Sequence, residues 1–224
     1  MSKALRKIGF NVGRDKARRL MRKFGLKAIQ RQAYKVTTNS NHHNPIAANV
    51  LDRQFNPTSA NQAWATDITY LRTGEGWVYL AIVMDLYSRK IVGWALDARM
   101  TQALVIRAWM KAIALRNPQP GLIHHSDRGS QYTSKQYLKL LKQHGVQCSM
   151  SGKGNCWDNA VVERFFGSLK HEWLAFVRHQ TRSSMINDVN DYVRYYNGTR
   201  LHSTLGYQSP VEFEMSQKNV CIFS

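Results

Sequence analysis

Three carboxylates in this chain of 224 residues are of a type and placement that phosphoryl chemistry could use: Asp67 in WATDITY, Asp127 in HHSDRGSQY and Glu163 in DNAVVERFF. Between Asp127 and Glu163 lie 35 residues, and Lys170 follows the Glu by seven positions. Spacing alone is weak, since any two acids in a long chain have some separation. The setting of each acid says more. Asp67 lies within a strand-like run, Asp127 ends another before a Gly turn, and Glu163 falls in a helical pattern. Three acids gathered by a fold can hold two divalent cations. One cation activates an attacking oxygen and the other supports the departing one, which suffices to cut and join a phosphodiester. Mg²⁺ prefers hard oxygen ligands and keeps several waters, so a few carboxylates are enough. On this reading Asp67 bridges two ions, Asp127 serves one and Glu163 the other. The three are thus candidate catalytic and metal-binding residues together, with Mg²⁺ or Mn²⁺ as the cofactor.

The elements that must position them follow from periodicity and punctuation. Trp64–Leu71 and Trp77–Met84 alternate as strands around the turn Thr73-Gly74-Glu75-Gly76, a hairpin. Lys90–Leu96 is a third strand, and Thr101 is placed to cap a helix running to about Leu115, ended by Asn117-Pro118. A short buried strand at Gly121–Ser126, a helix near Ser134–His144 and a strand at Val146–Met150 come next. The Gly-rich stretch Ser151–Asn155 then leads into a long helix from Asp158 or Asn159 that bears Glu163. Three strands, a helix, a strand, a helix and a strand is the order of a ribonuclease-H-like α/β core, followed by a helical tail over Ser183–Asn197. On the Glu163 helix, Asn159, Glu163, Gly167 and Lys170 share one face, with Val161, Phe165 and Leu169 turned away to anchor it. Lys170, and Lys153 in the Gly-rich loop, are the candidate DNA contacts near the acids.

Other acids and metal-ligand types have plainer readings. Asp85 also ends a strand and is the best rival for Asp127, but Asp85-Leu-Tyr-Ser-Arg fits a turn closed by an acid. Asp97 starts a loop, and Asp158 serves as a cap for the Glu163 helix. Of His124 and His125, one packs in its strand, and a supporting role beside Asp127 is open for the other. His42 and His43 have no further ligand at metal spacing and read as loop residues. Three unevenly spaced cysteines without a CxxC argue against a disulfide framework and a zinc finger, and for a reducing cytosolic compartment.

Charge names the partner class. The chain carries +18, and residues 1–35 hold twelve Lys/Arg against Asp15 alone, so they supply +11 of it. Such an excess points to a polyanion, DNA or RNA. The rival, an anionic membrane surface, is weakened because no apolar run exceeds the eight residues Trp77–Met84. In the basic segment Ala17, Leu20, Met21 and Phe24 recur at helical spacing before Gly25, forming a face to dock. Arg18, Arg19, Arg22 and Lys23 lie opposite, as candidate phosphate contacts. The expected organisation is a basic, partly helix-turn-helix-like segment (1–35), a linker (36–60) rich in Asn, Ser, Thr and Pro, a catalytic core (61–182) and a helical extension (183–224).

The motifs WATDITYL, IVMDLYSRKIVGW, HHSDRGSQYTS and SMSGKGNCWDNAVVERFFGSLKHE, with the tail YYNGTRLHSTLGYQSP, closely resemble the integrase core of bacterial insertion-sequence transposases. More narrowly, they are similar to the second-reading-frame product of the IS-three type, which is akin to retroviral integrases. The resemblance covers about Asn61 to Glu214. It implies a DDE triad at Asp67, Asp127 and Glu163, two Mg²⁺ or Mn²⁺ ions, and cleavage at element ends followed by attack of the freed 3′-OH on target DNA. It also implies fusion to an upstream-frame protein, a homo-oligomer on DNA and a cytoplasmic, nucleoid-associated location. A structure-selective nuclease on the same fold, and a non-catalytic DNA-binding remnant or regulator, are the alternatives.

Overall fold

A mixed sheet of five strands forms the centre of the computed structural model, which describes residues 1–27, 45–152 and 156–222. The strands are β1 (Ala63–Thr73), β2 (Gly76–Asp85), β3 (Ile91–Asp97), β4 (Ile123–Ser126) and β5 (Gln147–Met150), in the order β3-β2-β1-β4-β5. The first three are antiparallel neighbours, joined through the expected hairpin in which Thr73 faces Gly76. β4 adds parallel to β1, and β5 parallel to β4. The helices are α1 (Ser2–Lys7), α2 (Arg14–Lys23), α3 (Gln102–Arg116), α4 (Lys135–Gln143), α5 (Ala160–Ser168), α6 (Arg182–Gly198) and α7 (Pro210–Ile222). This is a ribonuclease-H-like α/β fold.

The pleat sorts side chains into two cores, because successive residues of a strand face opposite ways. Trp64, Ala81 and Val83 pack beneath α3 and α4 with Leu104, Trp109, Tyr137 and Leu141. Ala63, Ala65, Leu80, Ile82 and Met84 pack beneath α5 and α6 with Val162, Phe165, Val189 and Tyr192. On the first face Gly93 lets α3 come close: a Cβ there would overlap the carbonyl oxygen of Ala108 and stand 2.8 Å from the Ala112 nitrogen. On the second, Asn190 of α6 accepts from Trp94 Nε1 at 2.8 Å, and Asn197 bonds both backbone groups of Ile91 at 2.9 Å. Both faces of the sheet are therefore closed by helices.

Several local expectations change in the fold. Thr101 does precede α3, but its side chain makes no capping bond, whereas Ser134 accepts from the Tyr137 N–H at the start of α4. The helix bearing Glu163 is not long: α5 gives way to a π-turn at Leu169–Trp173 and a 3₁₀ turn at Leu174–Phe176. Asp158 does not cap it. Its carboxylate accepts from Arg53 Nε at 2.7 Å, Gly152 N at 2.9 Å and Asn49 Nδ2 at 3.2 Å, tying three segments together. Residues 45–60, expected within a linker, run across the core instead. There Leu51 is buried and donates its N–H to Ser149 Oγ, and the Met150 N–H bonds the Ala48 carbonyl. In the basic segment Ala17 is buried and Leu20 and Met21 are half-buried, but Phe24 is exposed, so the docking face is shorter than the periodicity suggests. His42, His43 and Lys153 lie outside the described residues.

Candidate active site

The register of the sheet brings the two aspartates together. β1 and β4 are parallel, with Ala65 opposite His125, so Asp67 and Asp127, each two residues farther on, fall side by side where β4 ends. Neighbouring strands lie about 4.8 Å apart, and residues in parallel register point to the same face. That face is the one α5 covers. Each carboxylate is held by a local backbone N–H: Asp67 Oδ1 accepts from Ile68 at 2.7 Å, and Asp127 Oδ1 accepts from Gly129 at 2.9 Å. Gly129 serves the turn by close approach, since a Cβ there would lie 3.0 Å from that Oδ1.

Glu163 reaches the same place from the helix. Asn159, one turn before it, is buried and donates Nδ2 to the Thr66 carbonyl at 3.2 Å, which pins the start of α5 over the middle of β1. Val162, Phe165 and Phe166 are buried on the underside of α5 and fix its rotation. Glu163 itself stays half-buried. Lys170, although it lies in the π-turn rather than in α5, is close enough for its charge to act on Asp67, and its Nζ stands 5.0 Å from the centroid of Tyr70. Asn159, Glu163 and Lys170 thus do share one side.

The electrostatics are those of like charges brought together. Part of Asp67 opens on a cavity, yet protein rings its carboxylate. Burial first, and then the charges of Asp127 and Glu163, push it well above the ordinary carboxylate range, with the Ile68 N–H and Lys170 pulling the other way. Burial raises Glu163 as well, and it lowers Lys170 against the pull of Asp67. Among the described residues no three His, Cys, Asp or Glu side chains stand close enough to hold an ion as they are. The donor set nevertheless fits a hard divalent cation: carboxylate oxygens, adjacent by register, with like charges that a cation would neutralise.

A cavity of about 570 Å³ opens beside the aspartates, lined by Asp67, Asp127, Tyr70, Trp77, Met100 and Gln131 among others; Glu163 is not in its wall. Its floor is braced by Tyr132, whose hydroxyl lies 3.1 Å from Thr66 Oγ1. A second, basic groove of about 780 Å³ shares Tyr70 and Trp77 and adds Lys170, Arg72 and Arg178. The Tyr70–Trp77 pair, in edge contact at 5.1 Å, forms the ridge between them and was not singled out in the sequence. Its signal was there: two aromatics at solvent-facing strand positions flanking a hairpin. Arg18, Arg19, Arg22 and Lys23 are exposed on α2, away from any acid but Asp15 in sequence. Of the rivals, Asp85 is fully buried and accepts from the N–H groups of Asn61 and Tyr87, both at 3.0 Å. Asp97 pairs with Arg107. Both histidines before Asp127 are buried. His124 bonds the Tyr137 hydroxyl at 2.8 Å, and His125 bonds Ser149 Oγ at 2.9 Å and Ser151 Oγ at 3.2 Å.

A ribonuclease-H-like sheet whose central strand and parallel neighbour each present an aspartate beneath a glutamate-bearing helix defines an integrase-type core. Models of the integrase core domain match residues 57–156 and 144–210. The chain is 45% identical over 206 residues to the insertion element IS600 31 kDa protein of Shigella sonnei, covering 92% of this chain and 76% of that one. It is 40% identical to the transposase for insertion sequence element IS904 of Lactococcus lactis, covering 96% and 85% respectively. With the transposase InsF for insertion sequence IS3A of Escherichia coli it shares 43% identity, over 87% of this chain and 68% of the relative. Among solved structures, the catalytic core domain of HTLV-2 integrase with magnesium superposes with a TM-score of 0.54 at 17% identity, over 70% of this chain and 98% of that one. A chain from the simian T-cell lymphotropic virus intasome in complex with PP2A regulatory subunit B56 gamma gives 0.62 at 18% identity over 79% of this chain, which spans 60% of its length. The chain belongs to the IS3-type insertion-sequence transposases that carry an integrase core domain, a family of DNA transposition and integration.

Proposed function

We propose that this transposase is a metal-dependent polynucleotidyl transferase of the DDE type, in which Asp67, Asp127 and Glu163 do the chemistry at the ends of its element. The observation that carries the reading is the register of β1 and β4, with Asp67 beside Asp127, under a helix that Asn159 pins to the Thr66 carbonyl. Asp67 and Asp127 from the sheet and Glu163 from α5 would hold Mg²⁺ or Mn²⁺. When bound, two such ions activate an oxygen nucleophile and stabilise the leaving oxygen of a phosphodiester. The chain's own residues bind and orient. The cluster keeps a high local negative charge that favours a cation over a phosphate until metal is present. Lys170 offsets part of that charge and offers an ammonium to the DNA backbone. The Tyr70–Trp77 ridge, with Arg72 and Arg178 beside it, suits a strand leaving the duplex, since bases stack on aromatic faces while cations follow the phosphates.

DNA is the partner, as element end and as target. The excess of +18 supports it, as do the exposed cations Arg18, Arg19, Arg22 and Lys23 on α2; Lys153, ten positions before Glu163 in sequence, is proposed with them. One structural neighbour is a chain from a viral intasome, and a homo-oligomer on DNA is proposed for this chain on that likeness. Fusion to an upstream-frame protein and residence at the nucleoid belong to the same reading. Among the described residues no helix is long and apolar enough to cross a membrane.

The test is a cleavage-and-joining assay: labelled duplexes carrying the neighbouring element ends, Mg²⁺ or Mn²⁺, and an Asp127→Asn control. Metal-dependent products that vanish in the control are the expected result. Products that persist in the control would remove Asp127 from the mechanism. Cleavage without joining would favour a nuclease, and inactivity of both the chain and its upstream fusion would leave a DNA-binding remnant.

A further inference from the structure

A cavity of about 300 Å³ opens along a flank of α5 other than the one that carries Glu163, and three arginines from distant parts of the chain line it: Arg89, Arg164 and Arg200, with His202 and Asn56. Arg164 follows Glu163 in α5, and Ala160, Arg164 and Ser168 form the stripe that faces the cavity.

The arginines differ in how their charge is met. Arg200 is answered by Glu172, two bonds of 2.8 Å, and touches Ser168 Oγ at 3.3 Å. Arg89 is not. It is 9% exposed, and its guanidinium donates to the Phe55 carbonyl at 2.7 Å and to Asn56 Oδ1 at 2.6 Å, both neutral acceptors. Its backbone is left-handed at φ 61°, a conformation that costs a non-glycine residue about 1 kcal/mol or more. Burial lowers its pKa and the charge of Arg164 lowers it further, while Tyr196 and Asp85 pull the other way without reversing the shift. Arg164 is exposed, and among the described residues it is paired with no acid. His202 is 8% exposed, its ring edge-on to Tyr196 at 4.7 Å, and its Nε2 is buried with no partner.

A buried guanidinium beside a second cation and an unsatisfied ring nitrogen is a costly arrangement unless an anion joins it. A phosphate supplies negative charge, and its oxygens match the planar donor fork of arginine. We propose that Arg89 and Arg164, beside His202, form a phosphate pocket that takes a non-reacting backbone phosphate of the DNA whose scissile bond lies at the carboxylates. The identification of the phosphate as DNA rests on the transposase reading above. It is favoured over free phosphate by proximity: Glu163 and Arg164 are consecutive in α5, about 1.5 Å apart along its axis and about 100° apart around it, a separation that the backbone of one bound duplex can span. Binding a phosphate away from the reacting bond would fix the strand's register over the acids, the kind of remote contact that positions a substrate for reaction.

The test uses the full chain carrying Asp127→Asn, without divalent metal, so that nothing depends on cleavage. Melting temperature is read in inorganic phosphate and in chloride at matched ionic strength, and duplex affinity is read against salt. The expected result is a phosphate-specific rise in melting temperature that Arg164→Gln removes and Arg164→Lys keeps in part. With Arg164→Gln, log Kd against log salt loses about one unit of slope, the signature of one phosphate contact. Lys142→Gln, which removes an exposed lysine of α4 on the opposite side of the sheet, should leave the phosphate shift intact. If Arg164→Gln removes the phosphate shift but leaves duplex binding and its slope unchanged, the pocket serves free phosphate and the DNA assignment falls. If phosphate gives no shift and Arg164→Gln matches Lys142→Gln on duplex, there is no pocket. Failure of the cleavage assay with Asp127 intact would strike the catalytic reading and leave the metal-free phosphate shift standing.

Discussion

Two groups of acids lie at strand ends of this sheet, and they are built to opposite plans. Where β2 ends, Asp85 accepts two backbone N–H bonds and has Arg116 Nη2 at 3.7 Å. Glu214 of α7 comes in beside it and is met by Arg116, by Lys90 at 3.2 Å and by Ser88 Oγ at 2.7 Å. Burial lifts both carboxyls: at Glu214, Arg116 and Ser88 outweigh it and hold the group below the ordinary range, whereas Asp85 stays above that range despite its two N–H bonds and Arg116. Where β4 ends, Asp67 has one backbone N–H and faces Asp127 and Glu163, with Lys170 as the cation acting on it, and it is lifted well above that range. The first cluster is saturated, as a structural joint must be, since a buried charge left alone is expensive. The second keeps its repulsion, as sites do when the neutralising charge arrives from outside. Acidic residues at strand ends therefore do not mark a site by themselves; like charges held facing one another do.

The largest effect expected from breaking this contrast is catalytic. Asp67→Asn, Asp127→Asn or Glu163→Gln should each cut cleavage and joining by about a thousandfold or more, the scale of losing one strong electrostatic contact to a transition state, while the protein stays folded in denaturant melts. The saturated cluster should answer in reverse. Arg116→Met, which strands Glu214 and Asp85, should cost about 3 kcal/mol in urea unfolding and reduce activity only through loss of folded protein. Gly93→Ala, remote from both clusters, should cost about 1–3 kcal/mol by forcing α3 off the sheet.

Acid should act through the core. His124 is pushed down to about 3 by burial and the His125 charge, and His125 and His202 to about 4 by burial. Their unfolded forms take up a proton near pH 6.5. The unfolded chain thus binds more protons than the folded one between those values, and stability present above pH 6.5 is lost as pH falls toward 4, by up to about 1.4 kcal/mol per pH unit for each histidine. Urea melts at pH 7, 6 and 5 check this, and His124→Gln should flatten the trend. The smallest effect belongs to the exposed cations: Arg18→Gln or Arg22→Gln should each lower the salt slope of duplex binding by about one, with no change in melting.

The contrast between the two clusters was only half legible in the sequence. Asp67, Asp127 and Glu163 stand in local patterns (alternation, a Gly turn, helical spacing) that survive folding, and so the strands and the order of the core could be read. Asp85 as a turn acid could be read for the same reason. What makes it saturated could not, because Arg116 and Glu214 are 98 positions apart and meet only through packing. α7 was expected only as part of a helical extension over 183–224, without bounds of its own: its inward Glu214 breaks the apolar pattern that would have announced a separate helix, and only Arg116 makes that position sensible. Asp158 looked like a cap because caps are local, whereas its partners Arg53 and Asn49 lie more than a hundred residues away. The break of the Glu163 helix into a π-turn has no signal in residues 169–173 that we can identify.

The most direct test of the central claim is a metal titration followed by thermal melting, comparing the intact chain with Asp67→Asn. Without metal, the variant should melt at or above the temperature of the intact chain, because one repelling charge is gone. With Mg²⁺ or Mn²⁺, the intact chain should gain melting temperature in proportion to site occupancy, and the variant should not. An equal gain in both, or a variant that is destabilised without metal as Arg116→Met is expected to be, would mean that Asp67 belongs to a structural joint and not to the site.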